Sequence, residues 1–324
     1  MMHLTKNFVV FLFVSFFCNS THAQDSTYIK DYSNKLLLRV YTITKFNSLS
    51  IENKAQDLEL ILLPNGNTNL GLGFNYKKIG LGIAFGLPPS DENQRKYGKT
   101  QRLDLQGSMY NRKIGADGFF QAYKGYYNSN PEDFVDWTSD FFPQIGNMKI
   151  LSAGVIGFYL FNAHKYSYRA AFVRDEIQTK SAGSFLLGVF GNYDEATTDN
   201  GFVPSEFPDE VSKGFNIKAF SNVALGVSVG YAYNLVVKDK FVLGAAVIPG
   251  FGYQHVSTRN LENKVESNDQ PAAQILNRLA LGYEHRLFFI NLTGSLNYRT
   301  IDLKPYDFNL STGQLRFIIG KRFN

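Results

Sequence analysis

The chain has 324 residues, a formal net charge of +5 and a single cysteine, Cys18. One cysteine excludes a scaffold held together by disulfides within the chain, and the small positive charge gives no indication of a nucleic-acid partner. Aromatic residues make up 15% of the chain, almost all of them Phe and Tyr.

The N-terminus has the order of a secretory signal peptide. Lys6 precedes an apolar segment at 8–17, and the small Ala23 ends the region. Cys18 offers a lipoprotein cut instead, but the bulky residues before it disfavour that cut. We therefore expect a cleaved signal peptide at 1–23 and a single mature domain at 24–324. The mature chain then has no cysteine, and its net charge is +4 because only one lysine is lost.

Segments that alternate between large apolar and small or polar residues follow along the chain. Side chains on a strand alternate between its two faces, so each segment predicts a strand with one apolar face. The longest has fifteen residues, whereas strands of soluble sandwiches usually have about five or six. Membrane-spanning β-strands need roughly nine to eleven. The segments lie at 69–76, 79–86, 103–106, 223–237, 241–248, 278–284, 288–299 and 315–320.

The length and number of these segments favour apolar faces turned outward to lipid and polar faces turned toward a lumen. No later stretch approaches about eighteen consecutive apolar residues, so a transmembrane helix after the signal is not expected. We predict an all-β fold, a single antiparallel up-and-down transmembrane β-barrel of about 12 strands (range 10–14), in the cell outer membrane. Aromatic residues near segment ends fit interfacial girdles: Tyr76, Phe85, Tyr253, Tyr283, Tyr298 and Phe323.

The connections between segments differ in length. The sequence Pro64-Asn65-Gly66-Asn67 predicts a hairpin, and Lys238-Asp239 predicts a two-residue turn. Short and long connections fall out of phase upstream of residue 181, so we expect that one segment near 36–63 and one near 165–191 are not full wall strands. Long polar stretches predict loops at 87–101, 124–147, 192–219, 254–273 and 300–312.

The last predicted strand ends in Phe323 and Asn324. An aromatic residue near the end of the last strand resembles the signal that barrel-assembly machinery reads, although here it is penultimate. We therefore expect two partners, outer-membrane lipid and this machinery, and no nucleic acid. The sequence leaves open a small solute or another envelope partner.

Several segments resemble the domain-of-unknown-function 4421 family of Bacteroidota. They are Asn69–Phe74, Tyr123–Tyr127, Tyr166–Phe172, Lys180–Gly188 and Gly230–Tyr233. The resemblance covers most of the mature chain and implies a cell-envelope β-barrel. It implies no catalytic residues, because the family has no established activity.

Catalytic motifs are weak. Gly226-Val227-Ser228-Val229-Gly230 matches the nucleophile-elbow pattern, but an elbow needs a sharp turn from strand to helix, and here the strand pattern continues. The histidines His164, His255 and His285 stand in predicted turns or loops with no obvious serine in register. We therefore predict no enzyme and no catalytic residues, with a serine/histidine lipid hydrolase as the alternative.

No cofactor or metal site is predicted. The acidic loop that contains Glu132, Asp133, Asp136 and Asp140 lacks the dense spacing of a calcium loop, and a solvated acidic loop is the commoner structure. Zinc-ligand spacing is absent from the sequence.

Charged residues on the polar faces are candidate lumen-lining groups, and they form either a salt-bridged interior or a pore biased toward anions. Aromatic residues near 124–147 are candidate loop contacts, for a partner or for packing on the rim. The lumen candidates are Asp104, Arg169, Arg278, Glu284, Arg299 and Arg316, and the loop candidates are Tyr126, Tyr127 and Trp137.

These observations lead to three functional hypotheses. The first is a structural barrel or a narrow channel for small solutes. The second is an outer-membrane hydrolase that modifies lipid or lipopolysaccharide. The third is a barrel that binds or adheres through its long loops.

Overall fold

The computed structural model describes residues 26–66, 68–77, 79–87, 89–285 and 288–323. The expected signal peptide, Cys18 and Asn324 lie outside the described residues. The strands are β1 (Ile29–Asp31), β2 (Leu36–Asn53), β3 (Leu58–Leu63), β4 (Thr68–Tyr76), β5 (Ile79–Gly86), β6 (Gln101–Tyr110), β7 (Ile114–Asn128), β8 (Gln144–Leu160), β9 (Glu176–Gln178), β10 (Ala182–Thr197), β11 (Ala219–Val237), β12 (Phe241–Arg259), β13 (Val265–Glu284), β14 (Phe289–Leu303) and β15 (Tyr306–Phe323).

Among the described residues, helices are few and short. They are α1 (Asp91–Tyr97), a 3-10 turn (Pro131–Asp133), α2 (Tyr168–Phe172) and α3 (Asp209–Gly214). Across the described part of the chain, we find no helix with the length and apolar character needed to cross a membrane.

Ten strands close an antiparallel ring in the order β2, β3, β7, β8, β10, β11, β12, β13, β14, β15 and back to β2. The last strand pairs with the first along its whole length, from Phe323 opposite Leu36 to Tyr306 opposite Asn53. The predicted all-β antiparallel barrel is confirmed. The predicted count of about twelve is not, because the closed ring has ten strands and the remaining strands are additions to it.

Three of the added strands belong to the wall near one end of the ring. We call the end where β2 begins and β15 finishes the turn end, and the opposite end the loop end. β4 pairs with the first half of β2, β5 pairs with β4, and β6 pairs with β7. β5 and β6 face each other without pairing. Over nearly all of their length their Cα atoms are more than 8 Å apart, and we call this gap the slot.

The predicted hairpin at Pro64-Asn65-Gly66-Asn67 is wrong. β3 and β4 both run antiparallel to β2, so the chain steps sideways without reversing. The Asn65 side chain donates to the carbonyl of Gly98 at 2.7 Å, and its backbone N–H donates to Thr100 Oγ1 at 2.8 Å. These bonds tie Asn65 to the segment at 98–100. The six-residue β3 is the partial strand expected near 36–63.

Two predicted loops are also wrong. The stretches 254–273 and 300–312 belong to the β12–β13 and β14–β15 hairpins, which turn only at 260–264 and 304–305. Their outward side chains are polar because these hairpins rise beyond the apolar part of the wall, whereas inward Val256, Ile301 and Phe308 stay buried. The predicted loops at 87–101, 124–147 and 192–219 are present in shorter form at 87–100, 129–143 and 198–218.

An apolar belt surrounds the outside of the wall. On β11, every second residue from Val223 to Val237 is between 40% and 66% exposed, while the intervening Ala224, Ser228 and Ala232 are buried. At roughly 3.3 Å per residue this face is about 46 Å long, or about 33 Å high for a strand tilted by about 45°, close to the thickness of a hydrocarbon core. The belt therefore has the dimensions of a lipid-facing surface.

A charge placed on this belt tests its environment. Replacing Val229, near its middle, with lysine should lower the free energy of unfolding by about 2–4 kcal/mol, because lysine at the bilayer midplane loses its hydration. Ser221→Lys, on the same face of β11 but nearer the loop end, should cost about 0–1 kcal/mol. Urea unfolding in phospholipid vesicles, followed by the fluorescence of the single tryptophan, measures both. Equal losses would contradict a lipid-facing belt.

Candidate functional site

The segment between β8 and β10 folds into the ring at the turn end. Residues 161–181 form α2 and β9, and β9 pairs with β1 from the start of the described chain. Tyr166, Tyr168 and Arg174 are each at most 1% exposed. We call residues 161–181 together with β1 the plug. It explains the strand missing near 165–191, and His164 lies at its start, in the turn at 161–165.

Five strands of the wall hold the plug through hydrogen bonds. Two wall asparagines donate to plug carbonyls. One wall arginine donates to the plug, and two plug arginines donate to the wall. The bonds run from Asn234 Nδ2 to Ser167 O (2.8 Å), Asn291 Nδ2 to Ala171 O (3.0 Å), Arg322 Nη2 to Arg174 O (2.7 Å), Arg174 Nη2 to Glu284 Oε2 (2.6 Å) and Arg169 Nη1 to Tyr110 O.

Glycines on the inner face of the wall make room for the plug. A Cβ atom at Gly244 of β12 would lie 2.6 Å from the Cβ of Ala171. One at Gly282 of β13 would lie 2.8 Å from Arg174 Nη1. Both positions therefore require the smallest side chain if the plug is to sit where it does.

The buried charges of the plug are paired. Arg169 forms ion pairs with Asp175 and Glu176, and Glu284 lies between Arg174 and Arg322. Burial raises the pKa of the Asp175 and Glu176 carboxyls, and the charge of Arg169 opposes this rise. A buried charge is costly unless it is paired, so these pairs allow a charged segment to lie inside the ring.

A second layer of polar groups crosses the interior above the plug. Arg278 contacts Asp117 at 2.8 Å and donates to the Tyr110 hydroxyl at 2.7 Å. Arg299 binds both oxygens of Asp194, at 2.8 and 3.0 Å. A third pair joins Lys45 Nζ to Asp104 Oδ1 at 2.7 Å. Asp104 also accepts hydrogen bonds from Gln121 and Tyr123, so its charge is fully compensated.

The six charged residues that the sequence assigns to the lumen all lie inside the ring. Five of them form the ion pairs described above, and Arg169 does so from α2 and not from a wall strand. The sixth, Arg316, forms no ion pair among the described residues, and its guanidinium lies 5.2 Å from the ring centre of Tyr41. Sequence reasoning missed the neighbouring Arg39, whose strand lacked a clear alternating pattern.

Apolar side chains fill the loop end. Inward residues of the wall, such as Leu49, Leu62 and Met148, pack with Phe202, Phe207 and Phe215 from the loop at 198–218. The packing is tight: Leu49, Leu62, Met148 and Phe202 are 0% exposed. The barrel therefore has an apolar core inside its own loop end.

The predicted loop contacts belong largely to this core. Tyr126 and Tyr127 lie on β7, not in a loop, because the strand continues to Asn128. Tyr126 is 1% exposed, and Tyr127 packs against Tyr97. Trp137 lies in the loop, where its ring meets Phe207 edge-on and its Nε1 donates to the carbonyl of Phe141. The idea of an exposed aromatic binding loop is therefore wrong for Tyr126, and Trp137 packs on the rim.

Other candidate groups are dispersed. Ser228 lies inside β11, 1% exposed, with no turn beside it. His255 is more than half exposed, where it binds Asp269. Asp133 accepts from Asn130 Nδ2 at 2.8 Å. In the described ranges, we find no group of three or more His, Cys, Asp or Glu residues placed to hold a metal.

A larger side chain on the inner face of the wall should displace the plug. Gly244→Leu is expected to lower the free energy of unfolding by about 1–3 kcal/mol because the new side chain overlaps Ala171. It should also expose Arg174, now 0% exposed, to trypsin. Gly157→Leu is the matched control, since nothing lies within 4 Å of a Cβ at Gly157. Mass spectrometry of the tryptic fragments measures cleavage after Arg174. If Arg174 is equally protected from trypsin in both variants, the plug does not lie against Gly244.

Comparison with known proteins gives a family and a fold. A family model described as "Domain of unknown function (DUF4421)" matches residues 23–323. No curated protein matches the chain. Among solved structures, the chain is similar to the outer membrane protease OmpT from Escherichia coli (7% identity, TM-score 0.43, 91% of this chain and 98% of that chain covered).

Two further solved structures are also similar. One is the toluene transporter TodX from Pseudomonas putida (7% identity, TM-score 0.28, 89% of each chain covered). The other is the outer membrane protein OprG from Pseudomonas aeruginosa (10% identity, TM-score 0.27, 91% of this chain and 98% of that chain covered). Likenesses this distant transfer neither an activity nor a substrate.

Proposed function

The chain belongs to the domain-of-unknown-function 4421 family, and we propose that it is an outer-membrane β-barrel with a structural role and no open pore along its axis. The observation that carries the proposal is the combination of an apolar belt outside with a filled interior. A soluble barrel would not expose Leu225 and Phe251, each 66% exposed, on a continuous apolar surface.

Side chains of the described residues fill the interior at three levels. The plug occupies the turn end, the paired charges cross the middle, and the apolar core occupies the loop end. A solute moving along the axis would have to displace Phe202 and Phe220, at most 1% exposed, and Tyr168, 1% exposed. Of the two roles in the first hypothesis, these contacts support a structural barrel over a narrow channel.

Conductance tests this choice. We expect the purified protein, refolded and confirmed as folded by heat-modifiable migration, to leave a planar bilayer silent, because three layers of side chains close the axis. Stepwise ionic currents from the folded wild-type protein would contradict the proposal and favour the channel.

We also propose that the protein is not an enzyme. Ser228, the one motif serine, is enclosed by the wall and stands in the middle of a strand. His255 lies on the exposed surface, where its ring contacts Asp269.

Lipid hydrolysis tests this second point. Wild-type protein mixed with phospholipid or lipopolysaccharide should release no fatty acid, and Ser228→Ala should behave identically. Release that is lost in Ser228→Ala, His255→Ala or His285→Ala would establish the hydrolase instead.

Export and assembly complete the proposal. The signal peptide at 1–23 would direct export, and β15, which closes the ring and ends at Phe323, would present the C-terminal signal to barrel-assembly machinery. Binding through the loops has less support, because the aromatic side chains suggested for it pack into the loop-end core or on its rim. A polar depression of about 580 Å³ lies at the loop end, near Asn268 and Tyr306.

A further inference from the structure

The slot leaves two strand edges without partners inside the apolar belt. β5 and β6 do not pair, and their outward residues are strongly exposed: Leu81 60%, Phe85 65% and Met109 70%. In lipid, unpaired backbone N–H and C=O groups are costly, and open sheet edges are not tolerated unless something covers them. The slot therefore calls for an occupant with polar atoms.

An apolar hollow lies beside the slot, on the outer surface of the wall. An open depression of about 570 Å³ lies on the wall next to β6. Gly107 and Gly118 form its floor, and a Cβ at Gly107 would meet nothing within 4 Å. Its apolar walls are Leu105, Met109, Phe120 and Val155. This shape and chemistry suit a hydrocarbon chain.

The inner side of the slot carries two unmatched positive charges. Arg39 Nε lies 2.8 Å from where a Cβ of Gly73 would be, and Gly73 pairs with Gly82 of β5. Arg316 stacks on Tyr41, whose hydroxyl lies 2.9 Å from a Cβ at Gly82. Arg39 thus lies against the inner surface of β4, and the Tyr41 ring lies between Arg316 and β5.

In the described part of the chain, these two arginines have no carboxylate in ion-pair contact, and Arg316 Nη2 donates a hydrogen bond to the neutral Gln314 Oε1 at 3.2 Å. Among the described residues, Arg39 and Arg316 form no ion pair, in contrast to Arg169, Arg278 and Arg299, each of which contacts an aspartate. Both arginines also have a buried Nε without a hydrogen-bond partner. A buried guanidinium without an anion is costly, so the pair is suited to an anion from outside the chain.

The distance of Arg39 from the turn end indicates which leaflet of the membrane lies beside the slot. Arg39 lies three residues from Leu36, where β2 begins, or about 10 Å along the strand. Arg39 therefore lies just inside the turn-end girdle, which includes Tyr76 and Phe323. Lipid headgroups of the turn-end leaflet lie beside this girdle, and in barrels short turns face the periplasm.

We propose that the slot binds an anionic phospholipid from the turn-end leaflet, with its headgroup phosphate between Arg39 and Arg316 and an acyl chain in the apolar hollow. The phosphate supplies the missing counter-charge, and its oxygens accept hydrogen bonds from the free edges. A peptide strand inserted between β5 and β6 would satisfy the edges, but its backbone would leave both guanidinium groups uncompensated.

Lipid retention tests the ligand. Protein is reconstituted in nanodiscs of an equimolar mixture of phosphatidylglycerol and phosphatidylcholine, released into detergent, and examined by native mass spectrometry. We expect wild type to retain phosphatidylglycerol preferentially. Arg39→Gln/Arg316→Gln should lose this preference completely, each single variant should lose part of it, and Arg259→Gln, an exposed arginine at the loop end, should keep it.

Two results would overturn the ligand assignment. One is equal retention of both lipids by wild type, and the other is an unchanged preference in a double variant that still shows heat-modifiable migration. Because conductance does not enter this measurement, the outcome is independent of whether the axis is closed.

Thiol labelling tests whether the slot connects the surrounding lipid with the inner face of the wall. In a Cys18→Ser background, Ser108→Cys places a thiol on the inner face of β6 beside the slot. Ser228→Cys places one on the inner face of the fully paired β11. A membrane-soluble maleimide should label the first and not the second, because only the slot opens the wall to lipid. Protection of Ser108→Cys, or equal labelling of both thiols, would show that the slot does not connect the lipid with the inner face.

Discussion

The structure depends on one constraint, that a wall in contact with lipid must pair its own backbone. The long antiparallel ladder between β15 and β2 meets this constraint by joining the end of the chain to its beginning. Each strand then has a fixed outer and inner face, and the period of two in the sequence becomes a belt outside and a packing surface inside. The slot is where the constraint is not met by the chain itself, and for that reason it is the most informative part of the wall.

The interior is filled by the same chain that builds the wall. Small residues on the inner faces, such as Gly244, Ala232 and Gly282, leave a space that the plug occupies from one end. The loop at 198–218 supplies the apolar filling from the other end. Between them, buried charges meet partners from different strands, so each ion pair ties distant parts of the ring together. Arg299 and Asp194, for example, join β14 to β10 across the interior. Such pairs suit a rigid body better than a water-filled channel.

The sequence predicts the wall well and the interior poorly, for physical reasons. On β11, lipid requires a large apolar residue at every second position, so the alternation at 223–237 is unmistakable and the register follows from it. The polar tops of β12 and β13 face water on the outside, lose the alternation there, and so resemble loops. The plug has no periodic pattern, because α2 has only five residues and four of them are buried. The charge pattern placed Arg278 and Arg299 inside the ring, but their partners Asp117 and Asp194 come from strands whose register the sequence does not specify.

The odd residues of β11 face lipid and its even residues face a filled interior. Spin labels attached one at a time through cysteines at 223–237, in membranes, test this arrangement. We expect odd positions to be relaxed by dissolved oxygen, and even positions near the middle of the strand to be protected from both oxygen and a water-soluble nickel reagent. Strong relaxation of the even positions by nickel would instead show a water-filled lumen.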